Sequence, residues 1–261
     1  MTLLDVTLDG TVAEIVLHNP PLNLMDQPLI AELESALDQV GAWVVDGRCR
    51  ALLLRAEGRV FCAGVDVNTF LGHDPDSGTS HIARHLALTH RLEALPIPTM
   101  SVVHDLCLTI GFEISLGCDL LWAAEGARFG LVEAQVGLTP GAGGTQRLAA
   151  RAGYARAAEL VYTGDLYGAP DLLAWGVVNR VLPADDLLSE ARAFARRLAS
   201  GPTLAHGVAK NILQMTAADG VAAADRITAH GVGPLLATED LVQGVRSLLD
   251  RGPGHATFDA R

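Results

Sequence analysis

The sequence predicts an α/β fold that ends in a helical region, and three observations carry that reading. A strand, helix, strand unit opens the chain, short strands and helices then recur, and beyond the glycine-rich stretch 137–144 the apolar pattern turns mostly helical. The 261 residues suit a body over 1–199 followed by a C-terminal helical region over 200–261. A chain of this size buries about 70% of its unfolded surface without disulfides or metals. With 49% hydrophobic and 19% charged residues the composition is globular, and with only 5% aromatic residues, aliphatics and alanine must fill the core.

In chain order, 11–17 (TVAEIVL) and 50–55 (RALLLR) read as strands. Between them, Pro28 to Val45 has helical periodicity, with Leu29, Leu33, Leu37 and Val40 on one stripe. An apolar segment ending in glycine follows (59–66, RVFCAGVD), then a polar loop at 72–80 that reads as a lid, then a helix over 81–95. Pro96 and Pro98 end that helix, 99–103 (TMSVV) reads as a strand, 111–117 as a short helix and 119–124 as a strand. Helical stripes come next at 147–162, 170–175, 185–199, 203–216 and 238–250. Alanine-rich helices at a C-terminus serve either as an oligomerisation element or as packing on their own body, and periodicity does not separate the two.

Charge and composition exclude several functions. The net charge is 19 − 30 = −11 and the sole lysine is Lys210, which argues against a phosphate-neutralising surface and hence against nucleic acid. Charges or turns interrupt every apolar run before the ~18 residues of a spanning helix. The N-terminal MTLLDVTLDG carries Asp5 and Asp9 where a leader is apolar, so a cytoplasmic location is expected. Cys49, Cys62, Cys107 and Cys118 form no CxxC and read as buried thiols. His81 and His85, four apart on a helix, read as a solvated face, and no metal is expected. GxxxxGK, GxSxG and HExxH are all missing.

Two glutamates stand in apolar runs: Glu113 in LTIGFEISLGCDLL and Glu133 in ARFGLVEAQVGL. A buried carboxylate costs several kcal/mol unless paired or protonated. Either alone reads as salt-bridged to an arginine; together they suggest an acid/base pair whose members hold different protonation states. The glycine in CAGVD lets the Val65 N–H turn into a cleft, and Gly111, opening a helix, leaves first-turn amides free. Two such donors make an oxyanion hole.

These same stretches carry a resemblance. VFCAGVD (60–66), FEISLGCDLLWAAEGARFGLVEAQVGLTPGAGGTQRL (112–148) and YTGDLYGAPDLLAWGVVNRVLP (162–183) resemble the enoyl-CoA hydratase/isomerase, or crotonase, superfamily. LHNPPLN (17–23), Pro202 to Lys210 and TEDLVQGVRSLLDRG (238–252) resemble its flanking motifs. The resemblance implies a ClpP-like spiral of ββα units with a C-terminal helical trimerisation region, assembled as a homotrimer or a dimer of trimers. It also implies an acyl-CoA thioester as substrate, with no cofactor beyond that coenzyme. Matched residue by residue, the oxyanion donors fall on the Val65 and Ile110 amides, the catalytic carboxylates on Glu113 and Glu133, and substrate contacts on Leu22, Ala63 and Asp66. The implied reaction adds water to a trans-2-enoyl-CoA in fatty-acid or related catabolism. The alternatives are a Δ3/Δ2 isomerase or another crotonase-type acyl-CoA reaction, and a non-catalytic oligomeric acyl-CoA binder.

The chain departs from the family pattern at five residues. Thr109 and Ile110 replace glycines beside the oxyanion position, Leu131 replaces a glutamine, and Pro20 and Pro21 stand where basic residues are common. Ile110 narrows the cleft, and the loop 68–82 is expected to set acyl specificity.

Overall fold

The computed structural model describes residues 2–260. Strands β1 (Leu4–Asp9) and β2 (Val12–Leu17) form an antiparallel hairpin that turns at Gly10, whose φ is 58°. Strand β1 is an element the sequence reading leaves out, although its Leu4, Val6, Leu8 alternation has the period of a half-buried edge strand. From β2 onward the main sheet is parallel, through β3 (Ala51–Ala56), β4 (Thr99–Val103), β6 (Leu120–Ala124) and β9 (Arg180–Leu182), in the order β1-β2-β3-β4-β6-β9. Parallel strands need crossovers that cover both faces, which is why β2 and β4 are buried at every position, their polar Glu14, Thr99 and Ser101 included. A second sheet holds β5 (Cys107–Leu108), β7 (Arg128–Gly130) and β8 (Tyr167–Gly168).

The first crossover is α1 (Gln27–Val45). Asp26 caps it by accepting from the Leu29 N–H at 2.9 Å, and its buried face is the predicted stripe. Helix α2 (Pro75–Ala94) corrects the sequence reading of 72–80 as a lid loop. Asp74 and Ser77 form a reciprocal capping box at 2.8 and 3.0 Å and Pro75 occupies the first turn, so the polar stretch is the start of the helix. The predicted solvated face for His81 and His85 is also corrected: His85 is buried, with only 3% of its surface exposed.

Helix α3 (Ile110–Leu116) follows β5. The single stripe expected over 147–162 is two helices, α4 (Gly144–Ala152) and α5 (Tyr154–Thr163), broken at Gly153 with φ of 83°. Helices α6 (Ala169–Ala174) and α7 (Ala184–Ala199) complete the body. Buried Glu14 of β2 fastens α7 to the sheet, taking Arg192 at 2.7 and 3.0 Å and Arg55 of β3. Burial alone would raise its pKa, but the hydrogen bonds of Arg192 and Arg55 outweigh that and hold the carboxyl below its usual range.

Beyond residue 200 come α8 (Thr203–Asp219), α9 (Val221–Leu235) and α10 (Glu239–Arg251). The sequence reading misses α9, whose Ala/Gly composition and internal Pro234 give a weak periodic signal. Lys210 of α8 is buried and donates to Asp119 at 3.0 Å and to the Ile97 carbonyl at 3.2 Å, tying these helices to the start of β4. Leu213, Val221, Leu236 and Leu249 of this region stay exposed. Among the described residues no helix is long and apolar enough to cross a membrane.

Candidate active site

Two close approaches of backbone build the site. Residues 62–65 lie against the start of α3, with Leu108 N–H donating to the Cys62 carbonyl at 2.8 Å. A Cβ on Gly111 would stand 2.5 Å from the Cys62 Cβ, so only glycine allows this contact. Gly64 has φ of 108°, and a Cβ there would fall 2.6 Å from the Thr109 hydroxyl. The consequence is that Val65 and Ile110 line one cleft of about 550 Å³, and among the described residues neither backbone N–H has an acceptor.

Glu113, one turn into α3, is 2% exposed and lines that cleft. Its Oε1 accepts from the Ala142 N–H at 2.8 Å and the Gly144 N–H at 2.9 Å, so the glycine-rich stretch wraps around the carboxyl group. The salt bridge to an arginine that a lone buried glutamate would suggest is not formed: nearby Arg147 is bound to Glu93. Glu133 lines the same cleft at the head of a 3-10 turn (Glu133–Val136), is 7% exposed, and leaves Oε2 buried without a partner. Burial pushes Glu133 up to about 7. Burial, with the charge of Glu133 adding to it against the two amide donors, pushes Glu113 up to about 8. Two carboxyl groups that titrate near neutrality, facing a cavity with free amide donors, have the equipment for proton transfer beside a polarised carbonyl.

Ala63 also lines the cleft. Leu22 and Asp66 do not line it. The Leu22 carbonyl accepts from the Ala63 N–H at 2.9 Å, and the Asp66 carboxylate caps the 3-10 turn Val67–Phe70 by accepting from the Asn68 N–H at 3.0 Å. Leu131 is fully buried against the Glu113 and Gly144 pair. The four cysteines are buried and unpaired, and burial pushes Cys62 up to about 12, which leaves it a packing thiol. A hollow of about 570 Å³ between α4 and α8 is comparable in size, but its cations are engaged, Arg151 by the Leu116 and Cys118 carbonyls and Lys210 by Asp119. His85 in the cleft wall is a site residue the sequence reading does not pick out.

Thr109 holds φ of 47° and ψ of −125°, a conformation that favours glycine and is strained for a β-branched residue. Thr109→Gly is therefore expected to stabilise the fold by about 1 kcal/mol, the relief of strain exceeding glycine's entropy cost. Equilibrium urea unfolding reads this directly, and a destabilised variant would show that the Thr109 side chain contributes more than its backbone costs.

Comparison with known proteins bears on this arrangement. The family model for enoyl-CoA hydratase/isomerase matches residues 7–255. A probable enoyl-CoA hydratase of Bacillus subtilis is 31% identical over 260 residues, covering 96% of this chain and 97% of its own. A 1,2-epoxyphenylacetyl-CoA isomerase of Escherichia coli is 34% identical over 207 residues, covering 77% of this chain and 78% of its own. Among solved structures, an enoyl-CoA hydratase from Bacillus anthracis superposes with a TM-score of 0.91 at 27% identity, covering 99% of this chain and all of that one.

Proposed function

Because the chain belongs to the enoyl-CoA hydratase/isomerase, or crotonase, family of enzymes, we propose that it adds water across the C2=C3 bond of a trans-2-enoyl-CoA to give a 3-hydroxyacyl-CoA. The observation that carries this reading is the pair of buried glutamates facing one cleft with two unengaged backbone amides. In the proposed reaction the Val65 and Ile110 N–H groups donate to the thioester oxygen and stabilise the enolate. Ionised Glu113 takes a proton from water as the oxygen bonds to C3, and protonated Glu133 delivers its proton to C2. The net change is one water added, and the proton gained by Glu113 replaces the one lost by Glu133 once the pair re-equilibrates.

The geometry supports this division of labour. Glu113 has two amide donors, which favour its ionised form, whereas Glu133 has an oxygen with no donor, which favours the neutral acid. With Glu133 at about 7 and Glu113 at about 8, Glu133 ionises first, so the reactive state is reached by passing the proton from Glu113 to Glu133, and the charge of Glu133 that helps hold Glu113 up vanishes in that state. Coenzyme A enters as part of the substrate, and the chemistry as written uses no other group. Loss of enoyl-thioester absorbance on incubation with crotonyl-CoA tests the proposal, and an inert protein would reject it. The family is one of hydratases and isomerases, which gives a second reading in which one carboxylate shuttles a proton between C2 and C4. A 3-enoyl-CoA converted without uptake of water would establish that instead.

We also propose that the region from about 200 onward is an oligomerisation element, giving a homotrimer or a dimer of trimers. Leu213, Val221, Leu236 and Leu249 support it, because large exposed apolar side chains clustered on one helical region mark an interface. Light scattering at micromolar concentration is expected to give a trimeric or hexameric mass, and a monomeric mass would overturn it.

A further inference from the structure

Among the described residues, two cleft side chains outside the glutamate pair keep a buried polar atom without a partner, the Thr109 hydroxyl beside Gly64 and the imidazole of His85. His85, on the same face of α2 as Ile82, lines the cleft that holds Glu113 and Glu133. The residue is 3% exposed, and its Nε2 is buried without a hydrogen-bond partner. The ring is held in place by His81, whose ring meets it edge-on at 4.4 Å. Burial first, then the nearby charges of His81 and Arg84 against that of Glu34, push its pKa down to about 4, so at neutral pH it offers one N–H donor and one nitrogen acceptor. A buried polar group without a partner is unfavourable, and a ligand that pairs it recovers that loss.

Charge narrows what the ligand group is. The cleft already holds two carboxyl groups, and the arginines near it are engaged: Arg84 by Glu34 at 2.7 and 2.8 Å, and Arg147 by Glu93. A further carboxylate on the acyl chain would find no cation, so a neutral oxygen fits where an anion does not. Phe70, Val136 and Leu138 are apolar parts of the wall, and its other polar side chains, Thr109, Gln135 and Thr139, are uncharged.

We propose that His85 determines acyl specificity by hydrogen-bonding a neutral hydroxyl or keto oxygen on the acyl chain, so that the preferred substrate is an oxygenated enoyl-CoA rather than a plain alkyl one. The enoyl part of this statement rests on the hydratase reading. The role of His85 does not.

The test compares trans-2-heptenoyl-CoA with analogues of equal chain length bearing a hydroxyl at C4, C5 or C6 or a keto group at C5 or C6. The best oxygenated analogue is expected to exceed the alkyl one at least tenfold in kcat/KM. His85→Phe is expected to bring that ratio to 1 or below, and His85→Gln, which keeps a donor and an acceptor, to retain most of it. A wild-type ratio near 1 for every analogue overturns the proposal whether or not either variant folds, and so does an equal loss on both substrate classes in His85→Phe. If no thioester is hydrated, the hydratase reading falls. Dissociation constants of the saturated alkyl and hydroxyacyl-CoA counterparts then decide the role of His85: a tenfold preference lost in His85→Phe supports it, and equal affinities overturn it.

Discussion

Glu113→Gln and Glu133→Gln are each expected to lower kcat for enoyl-CoA hydration by about 10²–10⁴, the contribution of a positioned acid or base, while the protein stays folded. The double variant should be little worse than either single one, because groups that act as a unit are not additive. Wild-type kcat/KM should follow a bell in pH. With folded pKa values raised to about 7 and about 8, lowering the pH protonates both carboxyls and removes the base, whereas raising it ionises both and removes the acid. The maximum therefore falls between those values, and each single variant loses one limb. Near-wild-type hydration by the Glu133 variant would leave only a single-carboxylate reaction standing, and a flat profile from pH 6 to 9 would remove the acid/base pair altogether.

Gly144→Ala is expected to lower kcat about 100-fold without touching a reacting group. A Cβ at this position would sit 2.7 Å from the Glu113 Cγ and 3.1 Å from its Oε1, so the carboxylate must move, and a displacement of about 1 Å can cost 10² in rate. KM should change far less, since the atoms nearest the added methyl belong to Glu113 and Leu131 and not to Val65 or Ile110. Gly41→Ala in α1 is the matched control: its Cβ meets nothing within 4 Å, and helix propensity predicts a slightly more stable protein with unchanged kinetics. Full activity in the Gly144 variant would mean that the glycine-rich stretch yields freely and does not hold the base.

Much of this site is legible in the sequence because its signals are local violations of pattern. A glutamate in an apolar run, or a glycine where a strand should continue, is visible without knowing what lies opposite. Glu113, Glu133 and Val65 come out of such reading and Ile110 from the resemblance to the family, and the structure brings all four to one cleft. His85 does not come out, because two histidines four apart on a helix look the same whether they face water or a cavity; the deciding fact is that α2 turns that face inward. The start of α2 is hidden for a related reason, its capping residues Asp74 and Ser77 being indistinguishable by composition from loop. The break between α4 and α5 is missed because the apolar stripe runs on across Gly153, whose positive φ turns the chain. Leu22 and Asp66 sit in motif-like positions, yet their polar groups are engaged by Ala63 and Asn68, which only three-dimensional pairing reveals.

Lys210, described above as the tie between α8 and the start of β4, is also the only lysine of the chain, and it is buried. Every other basic side chain that is charged at neutral pH is arginine, which does not lose its proton in water at any pH the fold would survive. Reagents that acylate or cross-link lysine amines therefore meet no exposed lysine on this surface while the protein is folded. Labelling of Lys210 consequently becomes a clock for opening of the contact with Asp119, reporting the release of the C-terminal helices from the body before the sheet itself unfolds.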